Sequence, residues 1–395
     1  MILNTILVAL AMASPAELPV PITDAPAPVP TENGEAEENG VSKNEADPKN
    51  AGIITAFNAS LVYLGDGTSL KNGTVLVKEG VIVKVGADLE IPSGAIVVKH
   101  DGALSAGLIA SHSNDGVNGE LTDGTRTVMP EAQAHYAFNP EHGDMKRALA
   151  SGVTALVLAP SSTRLIGGQT AVVKTSGGTV VKSGAQLALG LSSEALSSNK
   201  FPTSYSGAQA ALKSQFLDPK GAVSRAVNGS LPVMMEVGTR AEIQRALAFA
   251  KQFDLKGCLL GSYWAEDLVD AIQKSGLDVV CTPFGVGDND RGARAAAGLA
   301  AKGVRIGFGL DSPARHPESL RLGAALCVRA GMPAGKARAA LTGDAAAIAG
   351  VAGRIGAIKR GLDADIVLWS GDPIALTSSV QAVYVEGKLV FGGEK

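Results

Sequence analysis

Three side chains that could bind a metal or move a proton stand at the ends of apolar, strand-like runs. His112 and Asp311 each directly follow such a run, and Glu236 lies near the end of another. Imidazole and carboxylate groups bind divalent cations and act as general bases. A carboxylate inside a protein needs a cation, a hydrogen-bond network or a raised pKa, so Glu236 favours a functional site. Asp311 precedes Ser312-Pro313, a common turn sequence, so a turn-capping role stays open.

The region that carries these residues alternates apolar runs with helical segments. Its clearest runs are 107–111, 153–159, 232–237, 257–260, 279–284 and 305–310. This alternation predicts parallel β/α units. About 245 residues, from 106 to 350, is the usual size of an eight-stranded (β/α)8 TIM-like barrel. An open doubly wound sheet fits the same periodicity and stays an alternative.

Two helices have readable boundaries. Thr239 and Glu242 have the spacing of a capping box, and apolar residues follow at helical spacing. A second helix, containing Leu268 and Ile272, is expected to stop at Gly276.

Short strands separated by turn residues occupy both flanks of this region. Residues 52–105 contain hairpin signals at Gly65-Asp66-Gly67 and Glu79-Gly80, and short strands return in residues 351–395. We therefore predict a small β-sandwich domain built from both chain ends, which makes the whole fold α/β.

The first residues differ from the rest of the chain. Residues 1–16 hold a short apolar run followed by small residues, as in a secretory signal peptide, although a charged start is missing. Residues 17–51 are rich in Pro, Ala, Glu and Asn, which predicts a disordered linker. Export to the periplasm or the outside is the expectation, with a cytoplasmic location as the alternative. The apolar run is too short to span a bilayer.

Composition restricts the partners. A formal net charge of −3 leaves no basic excess to neutralise phosphates, so nucleic acid is not expected as a partner. The cysteines Cys258, Cys281 and Cys327 each stand in an apolar run without C-x-x-C spacing, which predicts buried packing. Composition says nothing about the oligomeric state.

Four dispersed strings of sequence carry a resemblance. They are G-L-I at 107–109, G-V-T at 152–154 continuing to I-G-G-Q at 166–169, G-L-D-S-P at 309–313 and G-L-D-A-D-I-V-L-W at 361–369. In this order they resemble the amidohydrolase superfamily, in particular its imidazolonepropionase-like branch. The likeness covers roughly residues 52–395.

The resemblance implies hydrolysis of C–N bonds in cyclic amides at the C-terminal mouth of a barrel. One or two divalent metals would lower the pKa of bound water and polarise the carbonyl. His112 corresponds to the first histidine of the family's H-x-H strand. Asp311 corresponds to the eighth-strand aspartate, which contacts the metal and takes the proton from the attacking water.

Several ligand positions depart from the family pattern. The second histidine of H-x-H falls on Asn114, the strand-5 histidine on Glu236 and the strand-6 histidine on Gly261. Ala110 replaces the aspartate before His112. The metal site is therefore expected to be degenerate.

A reduced metal site remains conceivable. His112, Glu236 and Asp311, helped by Asn114, would form a site with one histidine and two carboxylates. Oxygen-rich ligation favours Mg, Mn or Fe over Zn. The absence of any bound metal is the alternative.

Other histidines are His100, His135, His142 and His316. Surface or capping roles are the ordinary interpretation, although His135 and His316 could reach the mouth. Three functions stay open: a hydrolase with a reduced site, an inactive barrel that binds a small molecule or a partner, and a metal-free hydrolase. No G-x-S-x-G motif supports the third.

Overall fold

The computed structural model describes residues 52–284, 287, 290–310 and 315–393. These residues belong to one compact unit. Asp311, the predicted signal peptide at 1–16 and the predicted linker at 17–51 lie outside the described residues. In the part of the chain that is described, no helix has the length and apolar character needed to cross a membrane.

β-strands begin and end the described part of the chain, and the helices lie between them. In chain order the strands are β1 (Ile54–Tyr63), β2 (Ser69–Lys78), β3 (Val81–Ala87), β4 (Ile96–Ala106), β5 (Leu108–Ser113), β6 (Val153–Leu158), β7 (Ile166–Gln169), β8 (Ala171–Lys174), β9 (Val180–Lys182), β10 (Leu187–Gly190), β11 (Val233–Glu236), β12 (Gly257–Leu260), β13 (Asp278–Cys281), β14 (Ile306–Phe308), β15 (Ile366–Trp369), β16 (Val380–Val385) and β17 (Lys388–Gly392). The α-helices are α1 (Gly143–Ala150), α2 (Tyr205–Leu217), α3 (Gly221–Val227), α4 (Arg240–Gln252), α5 (Val269–Ser275), α6 (Arg291–Ala301), α7 (Ser319–Arg329), α8 (Ala334–Ala340) and α9 (Gly343–Ile348). Short 3-10 helices cover Ala134–Ala137, Ser193–Ala195 and Glu266–Leu268.

Strands from both flanks share one seven-stranded sheet, in the order β17-β16-β15-β4-β1-β2-β3. The predicted β-sandwich is wrong in this respect, because the strands do not divide into two sheets. β4 is paired along both edges, in parallel with β1 and antiparallel with β15. The early and late strands are thereby joined into one continuous sheet.

The other strands form two mixed sheets. One has the order β14-β13-β12-β11-β10-β7, and the other has the order β5-β6-β8-β9. β10 to β14 run parallel, but β7 is antiparallel to β10, and β8 is antiparallel to β6. These antiparallel pairs differ from the parallel β/α units that the sequence predicts. The links from β6 to β7 and from β8 to β9 are too short for the helical crossover that parallel pairing needs.

The described residues confirm the helix and cysteine predictions. Thr239 caps α4, and both reciprocal hydrogen bonds of the capping box with Glu242 are present. α5 ends at Gly276, whose φ of 73° is left-handed. The cysteines are all buried. The predicted strand runs coincide with β5, β6 and β11 to β14 to within a few residues at each end.

Candidate functional site

A cavity of about 600 Å³ lies at the ends of several strands of the two mixed sheets. His112 at the end of β5, Asn114 just beyond it and Glu236 at the end of β11 all line this central cavity. Leu310, two residues beyond β14, lines it as well. Three of the four predicted site residues therefore share one cavity. The fourth, Asp311, directly follows Leu310 in the chain but lies outside the described residues.

Glu236 has an unusual electrostatic environment for a carboxyl group. Burial, followed by repulsion from Glu194 and Glu242, raises its pKa to about 7. Glu242 differs, because hydrogen bonds outweigh its burial and lower its pKa. Tyr205 Oη donates to Glu242 Oε1 at 2.5 Å, and the amide of Gly238 donates to Oε2 at 2.7 Å. Glu236 can thus change its charge near neutral pH.

His112 is positioned by the strand that carries it. Its carbonyl oxygen accepts a hydrogen bond from the amide of Leu310 at 2.7 Å, which joins the residues after β14 to β5. A Cβ at Gly309 would lie 3.2 Å from the His112 Cβ, so the backbones approach closely here. This contact keeps the His112 side chain at the end of β5.

His142 and Asp144 also line the central cavity, and the sequence reasoning did not select them. His142 Nδ1 accepts from the Asp144 amide at 3.3 Å and lies 2.9 Å from Asp144 Oδ2, an ion pair when the ring is protonated. The Gly116 amide donates to Asp144 Oδ2 at 3.1 Å, and Arg147 contacts the other oxygen. These contacts outweigh burial and lower the pKa of Asp144. The position of His142 in the chain could have indicated a place at the site. His142 belongs to the connection between β5 and β6, and barrel enzymes carry their sites on the face that holds such connections.

The remaining histidines lie elsewhere. Neither His135 nor His316 is among the described residues that line the central cavity. The ring of His135 packs on Tyr136 with centroids 4.2 Å apart. His316 accepts from the Glu318 amide at 3.4 Å, a capping role, and His100 Nε2 lies 2.8 Å from the Trp369 carbonyl oxygen.

Gly261, which the family resemblance aligns with the strand-6 histidine, could not carry a side chain on this backbone. Its φ is 124°, outside the region that L-residues adopt readily. A Cβ built there would lie 2.2 Å from the Val237 carbonyl oxygen. A side-chain ligand at this position would therefore require a different backbone geometry.

The donor set provides a test of whether a divalent cation fits. Within the described ranges, no three His, Cys, Asp or Glu side chains lie close enough together to hold one. His112 and Glu236 supply at most two ligands of a site that usually needs three or more protein ligands. The described residues by themselves do not fit a metal.

Comparison with known proteins agrees with this architecture. Residues 256–390 match the family model described as the Amidohydrolase family. These residues are similar to that family, and the match covers less than half of the chain. Amidohydrolase tasK of Hapsidospora irregularis is 22% identical over 447 residues, which cover 89% of this chain but 44% of the relative. The amidohydrolase-like chain thus spans less than half the length of that relative.

Solved amidohydrolase-type structures have a similar fold. An amidohydrolase from Thermotoga maritima MSB8 superimposes with a TM-score of 0.76 at 25% identity, covering 86% of this chain and 100% of its own. A Xaa-Pro dipeptidase with bound methionine has a TM-score of 0.55 at 15% identity, covering 86% and 100%. An adenosine deaminase from Xanthomonas campestris with bound zinc has a TM-score of 0.50 at 18% identity, covering 85% and 92%. The latter two likenesses concern the fold alone.

Proposed function

We propose that the central cavity hydrolyses a C–N bond of a small, cyclic amide-type molecule. The observation that carries this proposal is the convergence of His112, Asn114 and Glu236 on one cavity, with Leu310, the neighbour of Asp311, beside them. These residues come from the ends of β5, β11 and β14, and the region similar to the amidohydrolase family holds β14 together with β12, the neighbour of β11. The imidazolonepropionase-like branch is part of the same proposal and is supported by the sequence strings that resemble it.

The proposed framework is an eight-stranded barrel. The strands around the ring would be, in order, β5, β6, one bent strand made of β8 and β7, and then β10, β11, β12, β13 and β14. The single residue between β7 and β8 lets that strand pair with β6 along one half and with β10 along the other. The bond from the Leu310 amide to the His112 carbonyl supports closure. The domain boundaries at 106 and 350 remain part of this proposal.

Glu236 is the described group that can move the proton. In its ionised form it would accept a proton from a water molecule whose oxygen attacks the carbonyl carbon of the substrate. When the C–N bond breaks, the same proton passes to the leaving nitrogen, and the acyl carbon keeps the hydroxyl group. A pKa of about 7 suits both steps, because general acid–base groups work best near the operating pH. Asp311 remains the proton acceptor that the resemblance implies.

A cation on His112, Glu236 and Asp311, with Asn114 nearby, stays a prediction. Such a cation, Mg, Mn, Fe or Zn, would activate water and polarise the carbonyl. The described residues supply too few ligands for any step to be derived through it. Elemental analysis of the purified chain tests this prediction, and a stoichiometric divalent ion would support it.

The hydrolase proposal is tested with a panel of lactams and cyclic ureides. Glu236→Gln should lower the rate at least about 100-fold, the usual contribution of a general acid–base group. Asp311→Ala should lower it as well, whereas the exposed Glu90→Gln should leave it unchanged. Equal rates for the wild type, Glu236→Gln and Asp311→Ala would indicate contamination and overturn the proposal.

A second candidate function is binding without turnover. The geometry at Gly261 favours it, because a ligand lost together with its backbone conformation is not easily replaced. The cavity would then hold a small molecule by its polar groups. Isothermal titration distinguishes the two functions: ligand binding that Glu236→Ala abolishes, with no product released by the wild type, would replace the hydrolase proposal.

A further inference from the structure

A second cavity, here called the basic cavity, lies in the same compact unit and has a volume of about 280 Å³. Two loops and the segment before α2 form its walls: residues 124–127, residues 163–164, and residues from 195 to 202. The predicted catalytic and ligand residues are not part of its lining. Its lining is therefore distinct from that of the central cavity.

The lining of the basic cavity concentrates positive charge. Arg126, Arg164 and Lys200 all line it, and no carboxylate is among its described lining residues. Within the described part of the chain, no acid lies within ion-pair distance of these three cations, although Arg126 attracts the exposed Asp123 electrostatically. The acid next to this segment, Asp123, accepts bonds on Oδ1 from the amide and hydroxyl of Thr125, at 2.7 and 2.6 Å. Three like charges in one concavity favour an anion there.

Arg164 is held in place by the backbone. Its Nε donates to the Asp123 carbonyl oxygen at 3.2 Å, its Nη1 donates to its neighbour Thr163 at 2.6 Å, and its Nη2 contacts the Gly124 carbonyl oxygen. Carbonyl groups orient a guanidinium without cancelling its net charge. The side chain is therefore fixed as well as cationic, and fixed donors lose less entropy when they bind a ligand.

The basic cavity and the central cavity are built from the same two loops. Ser162 lines the central cavity, and the adjacent Thr163 lines the basic cavity. The Ser161 amide donates to Thr122 Oγ1 at 2.5 Å, which ties the two loops together between the cavities. A ligand group held in the basic cavity is thus next to the proposed reaction site.

We propose that the basic cavity binds the carboxylate of the small molecule that the central cavity receives. The statement that this ligand is the amide substrate rests on the proposed function. The statement that the basic cavity binds an oxyanion rests on its lining residues alone. An organic anion is favoured over a bare inorganic ion because Phe201, 61% exposed, and Pro202 add an apolar wall.

Isothermal titration of the purified full chain with a matched pair of probes tests the proposal. The probes are N-benzoylglycine, which carries a carboxylate, and its carboxamide, which is neutral but otherwise similar. We expect the carboxylate to bind at least about tenfold more tightly, as one charge-assisted contact predicts. Arg126→Ala and Lys200→Ala should each remove most of that difference. Neither side chain makes a described hydrogen bond, so the fold should be kept.

Matched controls are Arg360→Ala and Lys251→Ala, which remove exposed cations far along the chain from the basic cavity. Both should keep the preference for the carboxylate. Inorganic phosphate should compete with N-benzoylglycine, and added salt should weaken only the charged probe. Equal affinity for the two probes, or a preference that survives in both cavity variants, would overturn the inference. If the preference is present but no probe or cyclic amide is hydrolysed, the site stands and the proposed hydrolase activity fails.

Discussion

Glu236 places a carboxyl group where burial and two neighbouring acids oppose its ionisation. The folded-state pKa of about 7 is above the ordinary value of 4.5, so the folded chain holds more protons than the unfolded chain between these pH values. Its contribution to stability is fully present below about pH 4.5 and is lost as the pH rises through 7.

We therefore predict that the free energy of unfolding of the wild type falls, relative to Glu236→Gln, by about 3 kcal/mol between pH 4.5 and pH 8. Urea denaturation of both proteins at several pH values, with a chelator present, measures this difference. A constant difference across this range would show that the carboxyl group titrates normally.

Gly261 leads to a prediction about introducing a histidine at this position. Gly261→His should not create a metal site and should destabilise the fold, because its Cβ would meet the Val237 carbonyl oxygen. Gly276→Ala is a useful control, since Gly276 also has a positive φ but no atom lies within 4 Å of the position that a Cβ would take there. We expect Gly261→Ala to cost about 2 kcal/mol more than Gly276→Ala in urea denaturation. Equal costs would mean that the backbone relaxes freely at Gly261.

Single residues show how far the sequence could predict this site. His112 and Glu236 were predictable because each lies at the end of a recognisable strand, and the carboxyl ends of barrel strands meet at one mouth, whereas Asn114 was predicted only through the resemblance to the H-x-H strand. His142 was not, because its position depends on how a loop of about thirty residues folds back, which local spacing does not encode. The geometry of Gly261 was hidden as well, since residue identity does not reveal a φ angle.

At the scale of elements, a buried ion cluster connects β8 to the segments around β15 and β16. Lys174 is fully buried, and its Nζ lies 2.6 Å from Asp363, 3.1 Å from Asp365 and 3.0 Å from Glu386. Burial lowers its pKa, but the three carboxylates outweigh that effect and raise it. Two of those carboxylates belong to the G-L-D-A-D string, so this string has a structural role in the described fold.

Lys174→Met should therefore destabilise the chain by about 3 to 5 kcal/mol, because it leaves the buried Asp365 without its cation, whereas Asp363 and Glu386 still face Arg354. Lys182→Met is the matched control: Lys182 lies in the adjacent β9, and among the described residues its hydrogen-bond partner is the Gly350 carbonyl oxygen, at 3.3 Å. The control should cost less than about 1 kcal/mol, by analogy with other exposed sites. Similar urea midpoints for both variants would refute a stabilising role for the cluster.

Elements with strong local signals were predictable, and those with weak signals were not. β11 to β14 are short apolar runs separated by capped helices, so periodicity and turn residues locate them. β7 to β9 escaped prediction because their strands are only three or four residues long and begin in a Gly-rich stretch. Their antiparallel pairing depends on connection lengths, which periodicity alone does not reveal.

At the scale of the whole molecule, one aromatic side chain joins the seven-stranded sheet to the rest of the unit. Trp369 in β15 is fully buried, its indole nitrogen donates to Ser105 Oγ at 2.9 Å, and the Arg321 guanidinium lies 4.8 Å from the ring centroid. Gly152, just before β6, packs directly against this ring. The seven-stranded sheet and the central region therefore share one core at this point.

We predict that Gly152→Ala destabilises the molecule by about 2 to 4 kcal/mol. A Cβ at Gly152 would lie 2.7 and 2.8 Å from two atoms of the Trp369 ring, and the φ of 77° is unfavourable for alanine. Gly303→Ala shares the positive φ but has open space, so it should cost only about 1 kcal/mol. Urea denaturation followed by tryptophan fluorescence compares the two, and equal costs would show that the ring moves aside.

The double pairing of β4 also has a consequence for biosynthesis. β1 is available as soon as β4 is made, but β15 follows only about 260 residues later in the chain. At ordinary translation speeds of about 5 to 20 residues per second, one edge of β4 waits between about 13 and 50 seconds on the ribosome. During that interval the nascent chain exposes an open strand edge of the kind that recruits other chains, which makes it a natural client for chaperones.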